Sequence, residues 1–290
     1  MNPPTVSVIV PTRDRPIALE RCLVALARQT APAVEIIVVD DGSADAAAVR
    51  AVVARAAPRG RLVCGTGEGP AAARNLGVRA ATGAVLCFTD DDCAPQRDWV
   101  QRLAAACGPH GAAAGTTRVD EAAGSAAAAS QLITHVLTVT SLDTARRGLN
   151  FAPTCNLACA ALLARRLPFD ASFPSAAGED RDWCARLARA GTALRFVPDA
   201  VVLHRPQLGT SGLLRQQLRY GRGAVRFRTA GDERRLADAA FYRRLARDAA
   251  RAGSAVAALT ILAQAAVAAG ALQELAVHLA RRARDAYPRL

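Results

Sequence analysis

Asp90, Asp91 and Asp92 close the apolar run Ala84-Val85-Leu86-Cys87-Phe88-Thr89, which lies between Gly83 and Pro95. The run reads as an interior strand. Three carboxylates at the end of a core strand repel one another and lose hydration unless positive charge sits beside them. A divalent cation bound to diphosphate meets that need, because Mg²⁺ or Mn²⁺ takes oxygen ligands and keeps positions open for phosphate oxygens. The alternative is an acidic helix cap ahead of Pro95. A second carboxylate pair, Glu179-Asp180, precedes a helical pattern containing Trp183 and Leu187 and ending at Gly191. A helix N-terminus favours the anion, so the pair is expected to stay ionised. Such a group can take a proton from a hydroxyl, although an ordinary acidic helix start, served equally by Asp182, explains the same residues. In Asp40-Asp41-Gly42-Ser43, Asp41 can accept hydrogen bonds from a base N–H or a ribose hydroxyl; a turn with a helix cap is the competing account.

These residues need elements to bring them together. Val6-Ser7-Val8-Ile9-Val10 reads as a first strand stopped by Pro11, and Pro16 suits the first turn of a helix carrying Leu19, Cys22, Leu23 and Leu26. Val34–Val39 is nearly continuous in β-branched residues, as a strand covered on both faces would be. An alanine-rich helix, a short strand at Leu62-Val63-Cys64, a glycine-rich loop and a helix over about 70–81 follow. Alternating strands and helices imply a mostly parallel sheet between helical layers, with ligands beyond the carboxyl ends of its strands. Thr12-Arg13-Asp14, Asp40-Asp41 and Asp90–Asp92 all stand at such ends. A dinucleotide fold of the usual kind is excluded: no G-x-G-x-x-G follows the first strand, and Gly65-Thr66-Gly67-Glu68-Gly69-Pro70 has proline where the last glycine belongs.

The 290 residues are 51% hydrophobic and 21% charged, a globular composition with length for a substantial core. All 37 basic residues are arginine, which excludes a Walker A lysine and Schiff-base chemistry. Eight cysteines stand singly, without C-x-x-C pairs, and four histidines lack zinc-finger spacing. Buried free thiols in a reducing compartment are expected. The first apolar run is too short for a signal peptide, so the expected location is cytoplasmic.

The segments VSVIVPTRDRP (6–16), IIVVDDGS (36–43), GPAAARNLGVRAATG (69–83), FTDDDC (88–93) and GEDRDWCARLARAG (178–191) occur in an order that resembles glycosyltransferase family 2. The resemblance covers residues 6 to about 204. It implies an α/β, GT-A-type three-layer sandwich and an inverting transferase that moves a sugar from a nucleotide-diphosphate donor to an acceptor hydroxyl with a Mg²⁺ or Mn²⁺ cofactor. It further implies donor-nucleotide contacts from Pro11, Thr12, Arg13, Asp41, Arg74, Asp90 and Asp91. Asp92 falls on the metal ligand of a D-x-D pattern, with Asp91 and His204 as further candidates. By the same resemblance Asp180 is the catalytic base with Glu179 as neighbour or substitute, and Asn156 lies on the acceptor side. Asn75 either meets the donor or ties loops together. A nucleotidyltransferase sharing the nucleotide half and a nucleotide-sugar-binding protein without turnover are the alternatives. Cell-envelope glycan, polysaccharide or glycolipid synthesis is the implied setting.

The expected organisation is a nucleotide-binding half over about 1–107, an acceptor half over about 108–230, and a helical C-terminal appendage over 231–290. From Arg205 to Arg251 there are twelve arginines against four acids, hence +8 of the chain's net +12. This stretch includes Leu213–Arg228, which reads as helical up to Gly221. A basic surface attracts anionic membrane or phosphorylated ligands. Nucleic acid is not an expected partner, since aromatics are 4% of the chain and no binding motif occurs. Residues 253–272 carry no charge and have the length of a membrane span, but their alanine content favours a buried or membrane-surface helix. The protein could thus sit at the inner face of the cell membrane.

Overall fold

The computed structural model describes residues 4–31, 34–108, 110–143, 148–173, 177–230 and 238–286. Its first half alternates strand and helix: β1 (Val6–Thr12), α1 (Pro16–Leu26), β2 (Val34–Asp40), α2 (Ala46–Ala56), β3 (Arg61–Cys64), α3 (Pro70–Ala80) and β4 (Val85–Phe88). Then come β5 (Cys93–Pro95), α4 (Trp99–Cys107), β6 (Ala112–Val119), α5 (Gly124–Thr140), β7 (Leu142–Asp143) and β8 (Gly148–Leu149). The chain continues through β9 (Leu157–Ala160), α6 (Ala161–Arg166), α7 (Glu179–Arg189), β10 (Leu194–His204), α8 (Thr210–Ala230), α9 (Ala239–Arg251) and α10 (Ser254–Ala286).

One sheet runs β3-β2-β1-β4-β9-β6-β10-β8-β7, with β5 paired to β10. β1 is parallel to both β2 and β4, and β3 is parallel to β2. The carboxyl ends of β1, β2 and β4 therefore adjoin, which gathers the polar strand ends as the sequence implies. The second half is mixed: β9 lies antiparallel between β4 and β6, while β6 and β10 run parallel.

Side-chain alternation divides the core into two layers. Val8, Val10, Val38 and Cys87 face α1, α2 and α4, whereas Ile9, Ile37, Val39, Leu86 and Phe88 face α3, α6 and α7. Seven of the eight cysteines are buried free thiols; Cys64, at the end of edge strand β3, is exposed.

A third cluster joins α5, α8, α9 and α10 through Ile133, Leu213, Phe241, Leu245 and Val256. Helix α8 does not stop at Gly221 as the sequence suggests. A Cβ at Gly221 would run into the Val267 carbonyl, and one at Gly270 into the Leu218 carbonyl. These glycines therefore mark a close helix crossing rather than a helix end. The start of the expected appendage, residues 231–237, lies outside the described residues.

Candidate active site

The end of β1 is stitched to its neighbours before any ligand is considered. Asp14, at φ 56°, accepts from the backbone N–H of Ala44 at 2.7 Å, and its own N–H donates to Ser43 at 2.8 Å. Asp40 accepts from the Ser43 N–H at 3.0 Å, while the following helix is capped by Asp45. Asp41 accepts from Gly67 and Gly69 N–H groups at 3.1 and 2.8 Å, tying the glycine-rich loop to β2. Arg13 lies over that loop, 3.5 Å from the Gly67 carbonyl.

The aspartates after β4 point three ways. Asp91 is buried; its carboxylate accepts from the Thr12 hydroxyl at 2.7 Å and from Arg15 at 3.1 Å. Burial pushes Asp91 up to about 7 against the opposing charge of Arg15, with Asp92 adding repulsion. Asp92 also meets Arg15, at 3.1 Å, and its other oxygen lies 3.3 Å from His204 Nε2. Asp90 pairs with Arg74 at 2.9 Å and stays one-third exposed (34%) toward the cavity. Arg15 escaped the sequence reading. Its signal was the second arginine of Thr12-Arg13-Asp14-Arg15, one residue before α1, and it supplies positive charge that the aspartate run needs.

His204 reaches Asp92 through strand register, because it stands opposite Cys93 in the β10–β5 ladder. Its Nδ1 lies 3.0 Å from Gln131 Oε1, and the Gln131 amide nitrogen donates to the Thr117 carbonyl at 3.1 Å. With the amide so oriented, Nδ1 carries the donated proton and Nε2 faces Asp92. Burial works against a charged ring, yet the hydrogen bond and charge of Asp92 raise His204 to about 9 and hold Asp92 below its usual range. The ligand atoms of Asp92, Cys93 and His204 lie within 4.8 Å of one another. An imidazole and a carboxylate suit a hard or borderline divalent cation; a buried thiol with a raised pKa does not add to that set. Asp91, expected as a shared ligand, is turned instead toward Thr12 and Arg15.

Helix α7 brings the second carboxylate pair to the same cavity. Its cap, Gly178, takes φ 102°, and Trp183 stacks on Phe169 at 5.4 Å, which meets Phe88 of β4 edge-on at 5.5 Å. Asn75 fixes the same segment by exchanging hydrogen bonds with the Phe169 backbone at 2.8 and 2.9 Å, and so ties loops together. Buried Arg74 donates to Glu179 at 3.2 Å. Burial, together with Asp180, raises Glu179 to about 7 despite Arg74, and burial likewise raises Asp180 despite Arg181. Burial thus works against the ionisation that the helix terminus favours. Asp180 accepts from the Arg181 N–H at 2.8 Å and lines the cavity half-buried.

Asn156 is a second correction. It is fully buried, accepts from the Trp99 indole at 2.8 Å and donates to the Ala200 carbonyl at 3.0 Å. Its amide braces α4 against β10 and cannot meet an acceptor. Pro11, Thr12, Arg13, Asp41, Arg74, Asp90–Asp92, Glu179, Asp180 and His204 instead line one cavity of about 1210 Å³.

Residues 7–165 match the family model Glycosyl transferase family 2. This chain belongs to that family. Glycosyltransferase AglE of Haloferax volcanii is 31% identical over 230 residues, covering 77% of this chain and 73% of AglE. The pre-mycofactocin glycosyltransferase of Mycobacterium tuberculosis is 30% identical across 76% of this chain, which spans 47% of that protein's length. Among solved structures, the mannosyltransferase PcManGT from Pyrobaculum calidifontis, in complex with GDP-Man and Mn²⁺, has TM-score 0.64 and 24% identity over 99% of this chain and 82% of its own. Glucosyl-3-phosphoglycerate synthase from Mycobacterium tuberculosis, in complex with Mn²⁺, UDP and glucosyl-3-phosphoglycerate, has TM-score 0.55 and 18% identity over 77% of this chain and 78% of its own. These structures share its GT-A fold. The chain is a family 2 glycosyltransferase.

Proposed function

We propose that this glycosyltransferase is a divalent-cation-dependent, inverting enzyme that moves a sugar from a nucleotide-diphosphate donor to an acceptor hydroxyl. One observation carries the reading: Arg74 joins Asp90, at the end of β4, to Glu179, beside Asp180, so the nucleotide-side and proton-accepting carboxylates face one cavity. The nucleoside lies along Thr12, Asp41 and Asp90, with Arg13 and the glycine-rich loop over it. Asp92 and His204 would hold the cation, which when bound offsets charge on the leaving diphosphate. The acceptor oxygen bonds to the anomeric carbon on the face opposite the diphosphate. As the bond from that carbon to the diphosphate oxygen breaks, the nucleoside diphosphate leaves with the electron pair. The hydroxyl proton passes to Asp180, whose burial and raised pKa make it a better base than a solvated aspartate. Glu179, committed to Arg74, fixes the helix start instead of taking the proton.

The setting we infer is glycan or glycolipid synthesis at the inner face of a cell membrane. Ser254–Ala280 of α10 is long and apolar enough to cross a membrane by length and composition. One side of it packs through Val256, Ala263 and Glu274, while Ile261 (70%), Leu272 (68%) and Leu279 (57%) are exposed. With the arginines of α9, this supports peripheral attachment to anionic lipid. Flotation with anionic vesicles should be salt-sensitive, and absence of binding would remove the membrane from the proposal.

Incubation with UDP-, GDP- and dTDP-sugars and Mn²⁺ tests the core reading. Release of a nucleoside diphosphate from one donor class, lost in EDTA, is expected. No release from any donor overturns it.

A further inference from the structure

The cavity is larger than one substrate requires: single small-molecule sites span roughly 300–1,000 Å³, and this one measures about 1210 Å³. Beyond Asp180 it continues between α5, α8, α9 and α10, where Ile133, Leu137, Phe227, Phe241, Val267 and Ala271 form its walls. Such apolar surface is a poor match for a free sugar. Arg181, Arg219 and Arg228 line the cavity as well, together with Asp238, the cap of α9.

Arg181 is the most informative of these. Its guanidinium lies 5.4 Å over the Phe151 ring; burial lowers its pKa, the neighbouring Asp180 opposes that shift, and the charge of Arg228 adds to it. No hydrogen bond or ion pair to that guanidinium is formed among the described residues. A half-buried cation held against a ring face, one residue from the proposed base, can pair with an anion that arrives with the acceptor. Gln217 adds a polar element: it is fully buried on the same wall, and its Oε1 has no hydrogen-bond partner among the described residues. That oxygen can accept from a sugar hydroxyl.

We propose that the acceptor is an anionic amphiphile, a hydroxyl-bearing sugar carried on a lipid phosphate or diphosphate. Its charged group lies at Arg181 and its hydrocarbon lies against α8 and α10. This rests on the proposed transfer reaction and names its acceptor class. The balance is unchanged: the sugar hydroxyl gives its proton to Asp180 and forms the new glycosidic bond, and the phosphate of the acceptor stays intact.

Calorimetry on the full chain, saturated with Mn²⁺ and whichever of UDP or GDP stabilises it, tests the inference with three probes below their micelle concentrations. Decyl phosphate should bind at least about tenfold more tightly than either decyl maltoside or inorganic phosphate, a difference of about 1.4 kcal/mol. Arg181→Gln should bring decyl phosphate to the level of decyl maltoside. Ala271→Asp, with Phe227→Ser as a second variant, should bring it to the level of phosphate. Retained stabilisation by Mn²⁺ and nucleoside diphosphate reports that each variant folds and that its donor site is intact. With that stabilisation intact, equal binding of the three probes, or an Arg181→Gln variant that keeps the preference, overturns the amphiphile and leaves the transfer reaction standing.

Discussion

Arg74 Nη1 lies 3.2 Å from Glu179 Oε1, and both side chains are 4–5% exposed. Two residues 105 positions apart thus form a buried ion pair, and the other arm of Arg74 holds Asp90 at 2.9 Å. One arginine on α3 sets the spacing between the end of β4 and the start of α7. In an isolated α3 it would be a solvated cation. The sheet order makes it a bridge, because β4 and the start of α7 lie on either side of it.

Arg74→Met tests that bridge. The substitution keeps volume and removes the charge, leaving Glu179 buried without a partner. Breaking one side of a buried pair typically costs about 3–5 kcal/mol, so a urea midpoint should fall accordingly. Adding Glu179→Gln should recover part of the loss, since a neutral amide tolerates burial better. A single-variant cost under about 1 kcal/mol, the surface-pair range, would deny the pair a structural role.

Glu179 also predicts a pH dependence. Groups facing it are Arg74 from α3, Asp180 from its own helix, Asp90 after β4 and Tyr220 from α8. Its folded pKa is raised from 4.5 to about 7, chiefly by burial. The folded protein therefore holds this proton more tightly than the unfolded chain. The stability it contributes is fully present below its unfolded value and is lost as pH rises through about 7. Wild type should lose stability relative to Glu179→Gln across that window in parallel urea titrations. A constant difference between the two would show that Arg74 already keeps Glu179 ionised.

The α/β order of the first hundred residues was legible because strand ends, prolines and β-branched runs are local signals. Asp90–Asp92, Asp41 and Glu179-Asp180 stood out for the same reason, and the fold brings them to one cavity. What the sequence withheld was pairing at long range. Nothing local ties Arg15, just before α1, to Asp91, or Arg74, on α3, to Glu179; the sheet brings each pair together. Gln131, which orients His204, sits in an alanine-rich helix without any local mark. Asn156 misled in the opposite direction: its neighbours resembled an acceptor segment, but packing turned its amide into the core. Gly221 looks like a helix end, although its lack of Cβ, with that of Gly270, lets α8 and α10 approach.

A nucleoside diphosphate should raise the melting temperature with Mn²⁺ and far less in EDTA, because ligand that binds the folded state alone stabilises it. Asp92→Asn should weaken the metal effect more than Asp91→Asn, since Asp91 is spent on Thr12 and Arg15. Gln131→Leu should lower metal affinity by about 10- to 100-fold, the usual cost of losing the partner that orients a ligating histidine. Equal stabilisation in EDTA and Mn²⁺ would sink the metal assignment. A larger effect at Asp91 would move the ligand there.

Asp180→Asn should abolish sugar transfer while Mn²⁺-dependent nucleoside diphosphate binding survives. Removing a general base typically costs about 10²- to 10⁴-fold in rate, and asparagine is nearly isosteric. The two carboxylates separate by their partners. Asp180 faces the cavity with an accepted backbone hydrogen bond from Arg181, whereas Glu179 is held by Arg74. Glu179→Gln should accordingly lower stability more than it lowers kcat. The base must be ionised to act, and burial raises Asp180, so the acid limb of the wild-type rate profile should stand above the ordinary aspartate range and be missing from the residual activity of Asp180→Asn. If Glu179→Gln loses transfer and Asp180→Asn keeps it, the base is one residue earlier in the helix. If both keep it, the pair serves only as a buried helix start and the proton leaves by another route.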